Sequence, residues 1–278
     1  MSTKKCYLRI DGDTFWGISA GIPRLLELLS DLKVPASFFL TTGGDDSWAS
    51  LPRIFRENGF AKRILKLRRS YLKPPAKIKT PPFREIALNL ISRGHEIGVH
   101  GYNHFHWIRD FKYLTPLRAI NIIRQSKCAF KQRYGVTPPY TGAPGWRMSF
   151  PVLELQDELN FDFASDVRSA YPFLPKSSKG KVLSTVQIPV NLPTLDEILM
   201  TGGSFPFPLN NHDIYCAHAE MEGTGYFSEF KQFIQLNINR GCTFHLLSEY
   251  PLSPPLPQCQ LAFDKIPGRT GEVLIAQK

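Results

Sequence analysis

Gly94-His95-Glu96-Ile97-Gly98-Val99-His100-Gly101-Tyr102-Asn103-His104 is the stretch from which the fold class is read. Ile97 and Val99 alternate as in a buried strand, and Gly101 marks a turn. Two imidazoles, His100 and His104, stand at an i, i+4 spacing. If a helical turn starts after Gly101, both side chains share one face, about 5–6 Å apart at Cβ. A single divalent metal bridges such a gap. Helix-capping or satisfied core histidines fit the same spacing, so the pair alone does not choose.

Upstream, residues 6–10 read as a buried strand ending in Asp11-Gly12-Asp13-Thr14-Phe15. Carboxylates just past a first strand sit where α/β barrels keep their chemistry. Asp-Gly-Asp is equally good turn composition. An amphipathic helix over 22–32, with Pro23 near its start, and a strand over 37–41 follow, which implies a parallel crossover unit. Downstream, helices are expected over 83–93, 114–134 (stopped by Gly135), 149–159 and 226–240. Strands are expected over 161–165, 186–190, 214–217 and 242–245. Residues 171–184 read as a polar loop, the stretch after Pro193 as an acidic turn, and 251–278 as a Pro-rich irregular tail.

Successive strands thus end in polar clusters: Asp11 and Asp13, His100 and His104, Arg147 and Asp166, then His218. Independent turn residues would not share this placement. One site on the rim of a parallel barrel accounts for all of them.

Composition narrows the class. The chain has 278 residues and 42% hydrophobic content, enough for a packed α/β domain. No run of 18 apolar residues suggests a spanning helix, and no signal-peptide core precedes the first strand, so a cytoplasmic protein is expected. The five cysteines are scattered without a C-x-x-C pair, as reduced thiols are. Residues 51–80 hold ten of the 34 basic residues and one acid, Glu57, so they carry +9 of the net +10. There Phe60, Ile64, Leu67 and Tyr71 lie opposite Lys62, Arg63, Lys66, Arg69 and Lys73. This face suits an anionic membrane surface, where each basic residue contributes about 1 kcal/mol. An ordinary surface helix packed on the barrel has the same pattern. No nucleic-acid module accompanies the charge, and no nucleic-acid partner is expected.

The motif order over roughly residues 6–250 resembles the NodB-homology polysaccharide deacetylase superfamily. The resemblance implies an α/β fold, a distorted (β/α) barrel over 1–250, with residues 45–82 as a basic insertion after the second strand. Leu8-Arg9-Ile10-Asp11-Gly12-Asp13-Thr14-Phe15 resembles the first motif, in which the first aspartate is a general base and the second a metal ligand. His100-Gly101-Tyr102-Asn103-His104 resembles the second, which supplies two more ligands. Gly142-Ala143-Pro144-Gly145-Trp146 resembles the third, except that its usual leading arginine is Gly142. Arg147, five residues on, is the expected replacement that steadies the base. Asp166 resembles the fourth motif's aspartate and His218 the fifth motif's histidine acid.

Several stretches resemble a branch that deformylates an amino sugar carried on undecaprenyl phosphate and bears a membrane-associated insertion. They are Arg9 to Phe15, Ala143 to Arg147, Gln187 to Thr194 and His218-Ala219-Glu220-Met221-Glu222-Gly223. The implied partners are a lipid-linked amino sugar and an anionic membrane, with the protein peripheral on the inner membrane. A soluble amidohydrolase or a polysaccharide or peptidoglycan deacetylase of the same superfamily is the alternative, and a non-catalytic lipid-binding barrel the second. The implied roles are Asp13, His100 and His104 as metal ligands, Asp11 as base, and His218 as acid. Asp166 would hydrogen-bond His218, and a backbone N–H near Gly145-Trp146 would hold an oxyanion. Zinc is the default ion, and nickel, cobalt or manganese accept the same ligands. Glu220 and Glu222 have no assigned role.

Overall fold

The computed structural model describes residues 3–45 and 81–277; the basic stretch over 51–80 lies outside them. The main sheet is built from β1 (Lys4–Gly12), β2 (Ser37–Leu40), β3 (Glu96–Val99), β4 (Tyr140–Thr141), β5 (Phe163–Ala164), β7 (Ile214–His218) and β8 (Cys242–His245). Its order is β5-β4-β3-β2-β1-β7, with β8 beside the start of β1, and every pairing is parallel. Between consecutive strands run the helices α1 (Ile22–Asp31), α2 (Phe83–Ser92), α3 (His104–Asp110), α4 (Pro116–Tyr134) and α5 (Phe150–Gln156), then α6 (Leu195–Thr201) and α7 (Phe227–Asn239). Among the described residues the outer strands are not paired with each other, so the barrel is an open, curled half-barrel.

The period of two along β1 sorts its side chains. Cys6, Leu8 and Ile10 pack in the large core that includes Leu25 and Leu29 of α1. Tyr7 joins an inner cluster with Phe39, Trp146, Phe163, Ile214 and Cys216. Both faces of the strand are buried, as in covered parallel sheets, and each fully buried Leu, Ile or Phe contributes about 1.5–3 kcal/mol. Arg9 and Asp11 share Tyr7's side of the strand. The inner face therefore begins apolar and ends charged.

Four expectations are corrected. Residues 251–278 are not irregular: β10 (Leu261–Lys265) and β11 (Glu272–Ala276) form an antiparallel hairpin, and β9 (Gln258–Cys259) pairs with β6 (Leu174–Pro175). That second pairing also places part of the 171–184 loop in a sheet. The acidic turn after Pro193 is helix α6, started by a capping box in which Thr194 N–H donates to Glu197 at 3.1 Å. Residues 186–190 form no regular strand; they meet β5 through Ala164 N–H to Val186 O and Ile188 N–H to Ala164 O, each 2.8 Å.

Candidate active site

Three strands deliver the site. The Cα of Asp11 is paired with His218 on β7 and with Phe39 on β2, so base and acid candidates stand side by side across two strands. His100 follows β3 directly. Gly101, at φ +71°, turns the chain, and a Cβ there would come within 2.8 Å of the Pro144 ring. Asn103 then caps α3 by accepting from His106 N–H at 3.0 Å, which makes His104 the first helical residue. The two histidines therefore meet across a turn, one from a strand end and one from a helix start, rather than along one helix face.

Asp13 lies between them. His100 Nε2 is 3.2 Å from Asp13 Oδ1, and His104 Nε2 is 3.1 Å from Oδ2. All three ligand atoms lie within 4.8 Å of one another. The His100 Nδ1 faces Gly142 O at 2.9 Å; as a donor there, it leaves the Nε2 lone pair for a ligand bond. Burial raises the Asp13 carboxyl, but His104 and His100 outweigh it and hold the group well below the usual carboxylate range. Burial lowers His104 to about 4, so it is neutral near pH 7, as a metal ligand must be. Asp13 Oδ1 is buried without a hydrogen-bond partner among the described residues. An unsatisfied carboxylate oxygen between two imidazole nitrogens is a donor set that fits a divalent ion. A second group, Asp11, Cys216 and His218, is equally compact, but Asp11 is already engaged.

Its partner is Arg9, which sequence reading did not assign. The fully buried guanidinium grips Asp11 with both arms, Nε to Oδ1 at 2.7 Å and Nη2 to Oδ2 at 2.8 Å, and Nη1 donates to Ser165 O at 2.6 Å. It stacks 4.6 Å over the Phe39 ring and 5.6 Å from that of Trp146. A Cβ at Gly142 would stand 2.7 Å from Arg9 Nη2, so the glycine makes room for the guanidinium. Burial pushes the Asp11 carboxyl up, and Arg9 foremost, then His100, brings it below its ordinary value. Asp11 is thereby kept ionised.

Arg147 does not steady the base. Its guanidinium donates to the carbonyls of Glu272 at 2.7 Å and Thr270 at 2.8 Å, fastening the third motif to the C-terminal hairpin. The same hairpin sends Arg269 over the Trp146 ring at 4.5 Å and to Glu197 at 2.8 Å. Trp146 is buried in the core, and its backbone N–H donates to Ala143 O at 3.1 Å instead of facing an oxyanion.

Asp166 does not hydrogen-bond His218. Its Oδ2 accepts from Gln156 at 2.7 Å and from Gln187 at 3.5 Å, and Oδ1 has no hydrogen-bond partner among the described residues. Burial raises Asp166 from its ordinary 3.8 to about 6. Folded protein thus holds this proton to a higher pH than unfolded chain, and stability falls as pH rises through the window from 3.8 to about 6. Asp166→Asn keeps an acceptor for Gln156 and removes the charge. It is expected to be more stable than the parent near neutral pH by up to about 3 kcal/mol, at about 1.4 kcal/mol per unit. Near pH 4 the difference should largely vanish. Urea unfolding at both pH values checks this; a pH-independent difference contradicts it.

His218 is held through its backbone. Its N–H donates to Glu222 Oε2 at 2.9 Å, and Tyr215 Oη donates to Glu222 Oε1 at 2.8 Å. The His218 Nδ1 is buried without a hydrogen-bond partner among the described residues.

The polysaccharide deacetylase family model matches residues 2–164. A probable 4-deoxy-4-formamido-L-arabinose-phosphoundecaprenol deformylase ArnD from Wigglesworthia glossinidia brevipalpis is 33% identical over 291 aligned positions, covering 94% of this chain and 99% of its own. A protein of the same description from Shewanella sediminis is 29% identical, over 83% of this chain and 80% of its own. A putative polysaccharide deacetylase from Mycobacterium smegmatis shares the fold, with a TM-score of 0.57 at 16% identity and 89% of each chain covered. With the family pattern over more than half of the residues and a relative aligned along nearly the whole length, the chain belongs to the polysaccharide deacetylase family.

Proposed function

We propose that this protein hydrolyses the N-acyl amide of an amino sugar carried on a polyprenyl phosphate, with formyl as the acyl group. The observation that carries the reading is the assembly of Asp13, His100 and His104 beside the cross-strand pair Asp11 and His218. The deformylase names of the two relatives support the substrate class. A divalent ion held by Asp13, His100 and His104, zinc in this proposal, supplies positive charge that polarises the acyl oxygen and acidifies water. Asp11, kept ionised by Arg9, takes the proton of the attacking water, a role worth roughly 10²–10⁴-fold in rate. His218 donates a proton to the departing amine from the neighbouring strand. A non-catalytic barrel has no need of base, acid and ligands together.

Asp11→Asn and His218→Ala are expected to keep the metal and lose turnover by roughly 10²-fold or more. Metal content and rate, measured on the same samples, check this; a rate within a few-fold of the parent removes that residue from the mechanism.

A polyprenyl-linked substrate places the reaction at a membrane surface. No helix among the described residues is long and apolar enough to cross one. We assign docking to residues 51–80, on the strength of their +9 charge. Changing Lys62, Lys66 and Arg69 to glutamate should abolish binding to anionic vesicles, and added salt should weaken parent binding, since exposed charges are screened over about 10 Å at 0.1 M. Unaltered vesicle binding by the triple variant contradicts this assignment.

A further inference from the structure

Glu220 stands two residues after His218, is buried, and takes no part in the chemistry above. Its Oε1 accepts hydrogen bonds from Asp13 N–H at 2.8 Å, Thr14 N–H at 2.7 Å and the Thr14 hydroxyl at 2.8 Å. The Thr14 hydroxyl oxygen accepts in turn from Gly17 N–H at 2.9 Å. Gly17 must be small, because a Cβ there would lie 2.0 Å from Glu220 Oε1. Two of these donors are consecutive peptide N–H groups just beyond β1, and one belongs to Asp13 itself. On the other side, the Thr41 hydroxyl reaches Asp13 O only at 3.4 Å. The short bonds to the Asp13 and Thr14 N–H groups come from Glu220, in the turn that follows β7.

A ligand on a turn loses conformational freedom when a metal binds, and holding its backbone beforehand lowers that cost. We propose that Glu220 is a positioning residue: one carboxyl oxygen pins the Asp13–Thr14 backbone so that the Asp13 carboxylate already faces His100 and His104. The proposal rests on the metal-ligand reading given above. β7 and the turn that follows it then serve both halves of the site, with His218 at the strand's end as the acid candidate and Glu220 beyond it holding the ligand Asp13.

The test combines hydrogen exchange at the Asp13 and Thr14 amides of metal-free protein with zinc affinity from chelator competition. Glu220→Ala should speed exchange at both amides and weaken zinc binding at least about tenfold, as loss of a ligand's supporting partner does. Glu220→Gln retains an oxygen that accepts the same bonds and should stay within about threefold of the parent. Gly17→Ala crowds the carboxyl out without removing it and should reproduce Glu220→Ala. The two changes together should cost no more than either alone, a non-additivity that general destabilisation would not produce. If Glu220→Ala does not fold, Gly17→Ala and Glu220→Gln decide between them. Parent-like exchange and affinity in Gly17→Ala overturn the proposal, and so does a loss in Glu220→Gln as large as in the alanine variant. A parent that binds no zinc refutes the metal reading instead, while the amide exchange still decides the role of Glu220.

Discussion

His104→Ala is expected to lose bound metal and activity together while the protein stays folded. The imidazole approaches Asp13 at 3.1 Å from the first residue of α3, outside the strands of the sheet, so its removal leaves the strand pairing intact. Asn103 still caps α3 through His106 N–H. Metal affinity should fall by more than the 10–100-fold that follows loss of an outer partner, because a direct donor is gone. Turnover should fall with it and return only in proportion to metal forced onto the site. Metal analysis after gel filtration, alongside circular dichroism, checks this. Metal retained at the parent's stoichiometry contradicts the ligand assignment.

Arg9→Gln is the second large effect. The pair it breaks is buried on both sides, at side-chain exposures of 0% and 2%. Removing one member of a buried ion pair typically costs about 3–5 kcal/mol, since the other charge is left uncompensated. The functional consequence has a definite sign. With Arg9 gone, burial dominates and the Asp11 pKa rises, so the base is protonated over more of the working range. The acidic limb of the pH–rate profile should move to higher pH, and the rate near neutrality should drop by roughly 10²-fold or more, the scale of a general base. Arg9→Lys keeps the charge but not the two-armed grip and should fall between them. A parental pH profile in Arg9→Gln shows that Arg9 does not tune the base. Arg147→Gln, by contrast, should leave the profile unmoved, because that guanidinium donates to the hairpin carbonyls of Glu272 and Thr270.

The ends of the strands were legible and their inner faces less so. Asp11, Asp13, His100 and His104 sit at boundaries where buried alternation stops, and such boundaries are visible in one dimension. The partner of Asp11 was also in view: Arg-x-Asp on a strand places both side chains on one face. What the sequence does not display is that Gly142, just past the end of β4, leaves space for the guanidinium. Arg147 was nearer in the motif and further in space, because the turn at Gly145 and Trp146, both at positive φ, directs the chain toward the hairpin. Thr194-x-x-Glu197 is a capping-box pattern from which α6 was readable, although its acidic residues suggested a turn. The C-terminal hairpin was obscured by its prolines, while Pro267-Gly268 between two apolar runs is itself a turn signal. The pairing of Glu220 with Asp13 joins residues 207 positions apart, and no local pattern reports it.

Mass spectrometry of a formamido-sugar linked to undecaprenyl phosphate, before and after incubation with purified zinc-loaded protein, tests the central claim most directly. The expected result is conversion of the formamide to the free amine with one formate released per sugar, abolished by a chelator and by Asp11→Asn. Substrate recovered unchanged from folded, zinc-loaded protein would contradict it.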